Sequence, residues 1–467
     1  IMIVTRHKAP FSQALCGSIR HGHIRNIFVS SQSTCKNFVT EGNFANSVDE
    51  NTTSRPRDRK LTHASSTQQP TPIYVSATHQ HVGKTSTSLA LLSGLQKRFD
   101  RVGFMKPVGQ QSLRVVDNET GKFISVDKDA VLVKNHFNLH HLDYKHISPV
   151  LIPPGYTRNY LDGKICLEEQ EHLVEKAFHA ISSNSQIILC EGSGHCAVGS
   201  IVHASNAQVA SWIGAKMILV ANGGLGNTFD DLELNKALCD KEGVEICGVV
   251  VNKVLPEKLE QTRHYLEMAL NMHWGPDIPL LGCIPDRPYL GCAALTDLER
   301  LFNKQLFTGQ KHRLRHYAVQ DINVVATSLE VFLQDLRTRP TRTLYVCHAS
   351  RSDILMGFVM ETYLRDDGVK DNEPALIMTG CDEHNLSSHI LEIVKAGDAQ
   401  ASAPVMFVPQ CTQKVMRLIN SYTPKLNFED ANRAASTINH YEPYINFDLL
   451  LEKVGHKHLK QEKQQFA

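Results

Sequence analysis

The sequence predicts an α/β protein: a parallel sheet with helices on both faces, followed by a second, smaller α/β unit. Two observations carry that reading. Short Val/Ile/Leu-rich runs recur from residue 73 to about 301, with helix-like stretches between most of them. Continuous apolar strands separated by helices imply a parallel sheet buried on both sides. The same alternation restarts after about residue 309 with a further set of strands.

Composition sets the outer limits. A chain of 467 residues, 42% hydrophobic and 21% charged, has room for two or three domains with ordinary cores. Its formal charge of +1 gives no general argument for a nucleic-acid or anionic-membrane partner, and neither is expected. No apolar run approaches the ~18 residues of a membrane span. The 12 Cys show no Cys-x-x-Cys pairing and the 24 His no His-Glu-x-x-His spacing, which points to reduced thiols of an intracellular protein and away from a zinc site.

The first forty residues contain no Asp or Glu, while Arg6, Lys8, Arg20, Arg25 and Lys36 are spread among Ser, Thr and apolar residues. That is the composition of an organelle transit peptide, mitochondrial in preference to plastid. A Ser/Thr/Asn/Gln-rich linker follows, so residues 1–70 are expected to lie outside the folded core.

The first strand, 73–76, leads into Thr78-His79-Gln80-His81-Val82-Gly83-Lys84-Thr85-Ser86, and a helix is expected over 84–99. Strand, polar loop and helix in that order make a phosphate-binding P-loop. Backbone N–H groups form a concavity and the helix dipole adds partial positive charge. Lys84 is placed to reach the β/γ-phosphates and the Thr85 hydroxyl to face Mg²⁺. The loop has Thr78 where a full Walker A motif has its first Gly. The fold class is thus a P-loop NTPase-type parallel sheet, with further strands at 102–105, 186–190, 217–221, 246–251 and 279–283 and helices at 168–181 and 230–241.

Ligands on such sheets bind at the carboxyl ends of the strands. Lys106-Pro107-Val108, Glu191-Gly192-Ser193-Gly194 and Asn252-Lys253 stand at three of those ends. Lys106 supplies a second cation beside the phosphates, and Glu191 has the position of a Walker B acid. The Asn252 amide offers the donor and acceptor that an adenine edge requires. Asp127 and Asp129, in a polar stretch, are candidates to complete the metal shell.

These segments, together with Leu281-Gly282-Cys283-Ile284-Pro285, resemble dethiobiotin synthetase in order and approximate spacing over roughly residues 73–300; the last is shared with cobyrinic acid a,c-diamide synthase. The resemblance implies ATP and Mg²⁺ as cofactors. It places Thr78, Val82, Gly83, Lys84, Thr85 and Ser86 around the phosphates, Asn252 at adenine, and Thr85, Asp129 and Glu191 at the metal. Lys84 and Lys106 become the catalytic cations. The chain departs from the family at Ala77, at His81-Val82, and at Gly109-Gln110-Gln111, where the family offers its diamine substrate a small hydroxyl residue.

In the second half, strands are expected at 324–326, 344–347, 375–379 and 405–408. Ser350-Arg351-Ser352-Asp353-Ile354 and Ile377-Met378-Thr379-Gly380-Cys381, with the closing segment from Phe428 to Leu451, resemble the domain named for its Asp-Arg-Thr-Gly-Gly signature (DRTGG). A synthetase-like domain over 71–305 and a DRTGG-type domain over 310–452, before a polar tail at 453–467, is the architecture of the N-terminal half of long phosphate acetyltransferases. In that family the two modules are regulatory and assembly elements, so acetyl transfer by this chain alone is not expected. Three functions follow in order: an ATP/Mg²⁺-binding module coupled to a small-molecule or protein partner, an ATP-dependent ligase activating a carboxylate or carbamate, and an oligomeric scaffold without nucleotide. A homo-oligomer is expected.

Overall fold

The computed structural model of the protein describes residues 72–117, 120–318, 322–338, 342–364, 373–382, 387–400 and 403–456. The expected leader, and the tail beyond residue 456, lie outside the described residues.

Six parallel strands build the first sheet: β1 (Pro72–Ala77), β2 (Val102–Met105), β3 (Ile187–His195), β4 (Lys216–Asn222), β5 (Ile246–Val254) and β6 (Leu280–Pro285). Their order is β6-β5-β4-β1-β3-β2. The chain leaves β1 toward β2, returns to fill the gap with β3, and then crosses to the other side. Strand order therefore reverses around β1, and the crevice above its carboxyl end is the topological switch point at which open sheets bind ligands.

Residues 73–77 of β1 are all 0–1% exposed, as a central strand covered on both faces requires. The expected strands are all present with small shifts in their ends, and the expected helices become α1 (Lys84–Gln96), α3 (Leu167–Ser182) and α4 (Gly226–Lys241). Between β2 and α3 lie elements the sequence reading passed over. An antiparallel hairpin pairs Ser112–Val116 with Phe123–Asp127, and α2 (Lys128–His136) follows it directly. The hairpin is half-exposed, each of its strands is only five residues long, and apolar Val116 and Phe123 stand on its wet face, so its period-2 signal is short and interrupted.

A second sheet of four parallel strands, β7 (Ile322–Val324), β8 (Leu344–His348), β9 (Ala375–Thr379) and β10 (Val405–Val408), runs in sequence order. Apolar residues pack on both of its faces, Phe332, Tyr345 and Phe358 in one cluster and Leu298, Phe302 and Val346 in the other.

The closing helices, α5 (Ala431–Tyr441) and α6 (Phe447–Lys453), return to the first sheet, and Ala434, Ile438, Tyr441, Phe447, Leu450 and Val454 join its core. This explains why α1 is buried nearly all round, from Thr87 to Leu92 and at Gly94 and Leu95. The sheet covers one side and α5 and α6 the other. Gly94 is where α6 comes closest, since a Cβ there would stand 2.0 Å from Phe447 Cζ. Ser93 Oγ donates to Glu442 at 2.8 Å, and Lys97 pairs with the same carboxylate. The described residues accordingly belong to one compact unit.

Candidate phosphate-binding site

The loop between β1 and α1 is shaped by two left-handed residues, His81 (φ 63°) and Gly83 (φ 96°). Gly83 is required twice over: its φ favours glycine, and a Cβ would lie 2.1 Å from Asn252 Nδ2. The first N–H groups of α1 have no partner inside the helix and face the cavity above the sheet.

Five predicted residues meet there: Lys84, Thr85, Lys106, Asp129 and Glu191. Glu191 is fully buried, and its Oε1 accepts from Lys84 Nζ at 2.8 Å, Thr85 Oγ1 at 2.8 Å and Lys106 Nζ at 3.0 Å. Lys106 also donates to Asp129 Oδ2 at 2.8 Å and to the Gly192 carbonyl at 3.1 Å. Two cations thus share two acids in a nearly dry place, and the charges set one another's protonation. Burial would raise the Glu191 carboxyl, but Lys106 and Lys84 outweigh it and hold it below its usual range. Asp129 is held well below that range, burial being overcome by Lys106, Lys128 and Lys84. Burial likewise opposes the charge on Lys106, yet Asp129 and Glu191 keep it well above its ordinary value. Lys84 is lowered, burial winning over the attraction of Glu191. It is the cation that gains most from an incoming phosphate.

The residues also fit a divalent cation. Glu191 Oε2 is buried with no hydrogen-bond partner among the described residues, close to the Thr85 hydroxyl and the Asp129 carboxylate. Among the described residues no cluster of three His, Cys, Asp or Glu could hold a metal unaided. Two carboxylates and a hydroxyl suit Mg²⁺, which keeps waters and takes further oxygens from phosphates.

The two aspartates separate by role. Asp127 caps α2, accepting from Asp129 N at 2.9 Å, and its other oxygen takes the backbone N–H groups of Gln110 and Gln111 at 2.9 and 3.2 Å. It ties down the loop after Lys106, leaving Asp129 to face the lysines. Thr78 is buried at the foot of the loop; its N–H donates to the Val220 carbonyl at 2.9 Å. Val82 is buried and Ser86 lines the cavity.

Asn252 is only 1% exposed, and its Nδ2 donates to the Val82 carbonyl at 2.7 Å and to the Tyr441 hydroxyl at 3.0 Å. Its amide braces the P-loop from below, with Tyr441 of α5 as the second anchor; Tyr441 also bonds Ser86. Beside it, Lys253 Nζ donates to the His81 carbonyl at 2.7 Å and fixes the other shoulder of the loop. Tyr441→Phe is expected to lower the unfolding free energy by about 1 kcal/mol, seen as a lower urea midpoint at unchanged slope. An unchanged midpoint would show that the brace does not depend on the phenol.

The cavity measures 650 Å³. One wall is the P-loop with Lys106, Lys128 and Asp129, and the opposite wall is built from segments 286–292 and 422–426 and from Arg433, Thr437 and Tyr441 of α5. Lys425 lies close enough to His81 that, after burial, its charge is the main influence lowering the imidazole. Sequence reasoning did not find Lys128, Arg287, Lys425 or Tyr441. None belongs to a motif, and Lys425 and Tyr441 reach the site from the far end of the chain.

Residues 71–294 match the family model described as an AAA domain. The chain is 26% identical over 302 residues to the phosphate acetyltransferase of Synechocystis sp., covering 62% of this chain and 39% of that protein. It is 24% identical over 396 residues to the phosphate acetyltransferase of Pseudomonas aeruginosa, covering 82% and 52%. The chain spans about half the length of the curated relatives it matches, or less. Among solved structures, a putative plasmid partition protein of Borrelia burgdorferi bound to AMPPNP aligns with 12% identity, 47% of this chain, 88% of that one and a TM-score of 0.31. MinD of Aquifex aeolicus aligns with 17% identity, 47% of this chain, 84% of that one and a TM-score of 0.29. The chain therefore carries a P-loop domain over residues 71–294 and is similar in sequence to phosphate acetyltransferases.

Proposed function

We propose that this protein is an ATP- and Mg²⁺-binding regulatory module, in which the second sheet and its helices form a DRTGG-type element that responds to the state of the P-loop. The observation that carries the proposal is the convergence of Lys84, Thr85 and Lys106 on one oxygen of a fully buried Glu191. Without phosphate, the P-loop cation and hydroxyl are both held by the acid that would share the metal with the hydroxyl.

With nucleotide bound, Lys84 and Lys106 would hold the phosphates, while Thr85, Asp129 and Glu191 would hold Mg²⁺, which would supply charge neutralisation to the phosphates. Lys84 and Thr85 then leave Glu191 Oε1, and the loop that carries them is fastened to α5 through Asn252 and Tyr441. Occupancy would thereby reach α5, the helix that returns from the second sheet to the first. The partner this affects is a small molecule or a protein, possibilities that include a second copy of the chain, and the acid-free leader favours a mitochondrial setting.

The ligase reading is the alternative, and the surroundings of Gln110 favour it less. Ser193 Oγ is spent on the Val108 carbonyl at 2.6 Å, and the backbone of Gln110 and Gln111 is held by Asp127. Few side chains remain there to orient a second substrate.

The test is calorimetric titration of the full chain with ATP, with Mg²⁺ and again with EDTA. Saturable binding that weakens at least about tenfold without the metal is the expected result. Absence of saturable heat in both titrations would overturn the nucleotide reading.

A further inference from the structure

Outside the P-loop cavity a second, smaller pocket of 290 Å³ opens beside the start of α5. Cations dominate it. Lys311, Arg315 and Arg342 line it together with His316, Tyr289 and Asn432. Asp430, at its base, is committed elsewhere. One of its oxygens accepts from the Arg433 N–H and caps α5, and the other lies 2.7 Å from His316 Nε2.

The two guanidiniums are arranged rather than loose. Both face one carboxylate, Glu373, with Arg342 Nε at 2.7 Å and an Arg315 nitrogen at 3.3 Å. Arg342 also hydrogen-bonds the Tyr289 hydroxyl, which sits 3.3 Å from His316 Nδ1. Among the described residues, the acids paired with this group are Glu373 and the capping Asp430, itself beside His316. The pocket therefore keeps an excess of positive charge, and the N-terminal N–H groups of an eleven-residue helix add to it at Asn432. Planar guanidiniums held in place by a neighbour are suited to the paired oxygens of a phosphate.

We propose that this pocket is a second oxyanion site, which takes inorganic phosphate or a small phosphate monoester and is separate from the P-loop. Its volume, just under the range for drug-sized ligands, suits a small anion better than a nucleotide. Lys311 and the two arginines contact the oxyanion, and Tyr289 and Asn432 supply neutral donors. Two of the elements that wall it also wall the nucleotide cavity. Segment 286–292 turns Tyr289 toward the small pocket and Arg287 and Leu290 toward the large one, and α5 carries Asn432 on one side and Arg433 and Thr437 on the other.

The test titrates inorganic phosphate calorimetrically into the full-length Lys84→Ala protein, whose P-loop lacks its phosphate cation, so the result does not depend on the nucleotide reading. Saturable binding is expected at millimolar phosphate. Adding Lys311→Glu, at an exposed position whose replacement leaves the core untouched, is expected to weaken it roughly tenfold or more. Adding Lys258→Glu instead, at an exposed lysine in the turn before the helix Leu259–His273, is expected to leave it unchanged. No saturable binding to Lys84→Ala, equal binding with and without Lys311→Glu, or equal losses from both reversals would overturn the assignment.

Discussion

Mg-ATP at a hundred times its dissociation constant is expected to stabilise the wild-type chain by about 2.7 kcal/mol, and the Lys84→Ala variant by nothing measurable. The argument rests on where Lys84 stands. Its ammonium is buried, lowered by that burial, and 2.8 Å from a carboxylate it shares with two other donors. A phosphate offers it a stronger partner than one-third of Glu191. In the variant, Glu191 keeps Thr85 and Lys106, so the ligand-free protein should melt close to wild type while the nucleotide-dependent rise in Tm disappears. Differential scanning calorimetry with and without Mg-ATP reads both quantities. A full rise in Lys84→Ala would show that nucleotide binds without the P-loop cation.

The largest change in stability is expected from Glu191→Ala. Removing the shared acid leaves Lys84 and Lys106 in the interior with Asp129 as their remaining close carboxylate, and breaking a buried pair from one side typically costs about 3–5 kcal/mol. The pH dependence follows from the signs. Glu191 and Asp129 are held below their usual range in the folded state, so the stability they contribute is complete above about pH 4 and is lost as pH falls through their lowered folded values. Lys106 is held above its usual value, so its contribution is complete below about pH 10 and is lost as pH rises through the raised folded value. Urea unfolding at pH 7 and pH 3 checks this. The gap between wild type and Glu191→Ala should be wide at pH 7 and narrower in acid, and an equal gap at both would show that cavity formation, not charge, dominates.

Much of the site was legible because its residues stand at the ends of apolar strands. Lys106 follows β2 and Asn252 belongs to β5, while the run into Glu191 reads as a strand end although β3 continues to His195. The sequence shows that these residues share one edge of a sheet. It does not show what each side chain turns toward. Asn252 carries the chemistry of an adenine ligand, yet its amide nitrogen is occupied by the Val82 carbonyl and the Tyr441 hydroxyl. That could not be read ahead because Tyr441 lies 189 positions away, in a helix whose apolar spacing announces burial without naming its partner. The hairpin at 112–127 was hidden for a different reason: its strands are five residues each, and Val116 and Phe123 put apolar residues on the wet face, which cuts the alternation short.

The return of α5 and α6 to the first sheet also fixes an order of events during synthesis. β1 to β6 emerge from the ribosome first, with one flank of α1 uncovered and its Leu-rich surface facing solvent. The helices that cover it follow roughly 150 residues later, about eight to thirty seconds at 5–20 residues per second. For that interval the nascent P-loop has no Tyr441 behind Asn252 and no Phe447 against Gly94. The loop becomes rigid only when nearly the whole second half has been made, so a chain halted early carries a greasy helix and a slack phosphate cradle, a form suited to capture by chaperones and unsuited to hold nucleotide.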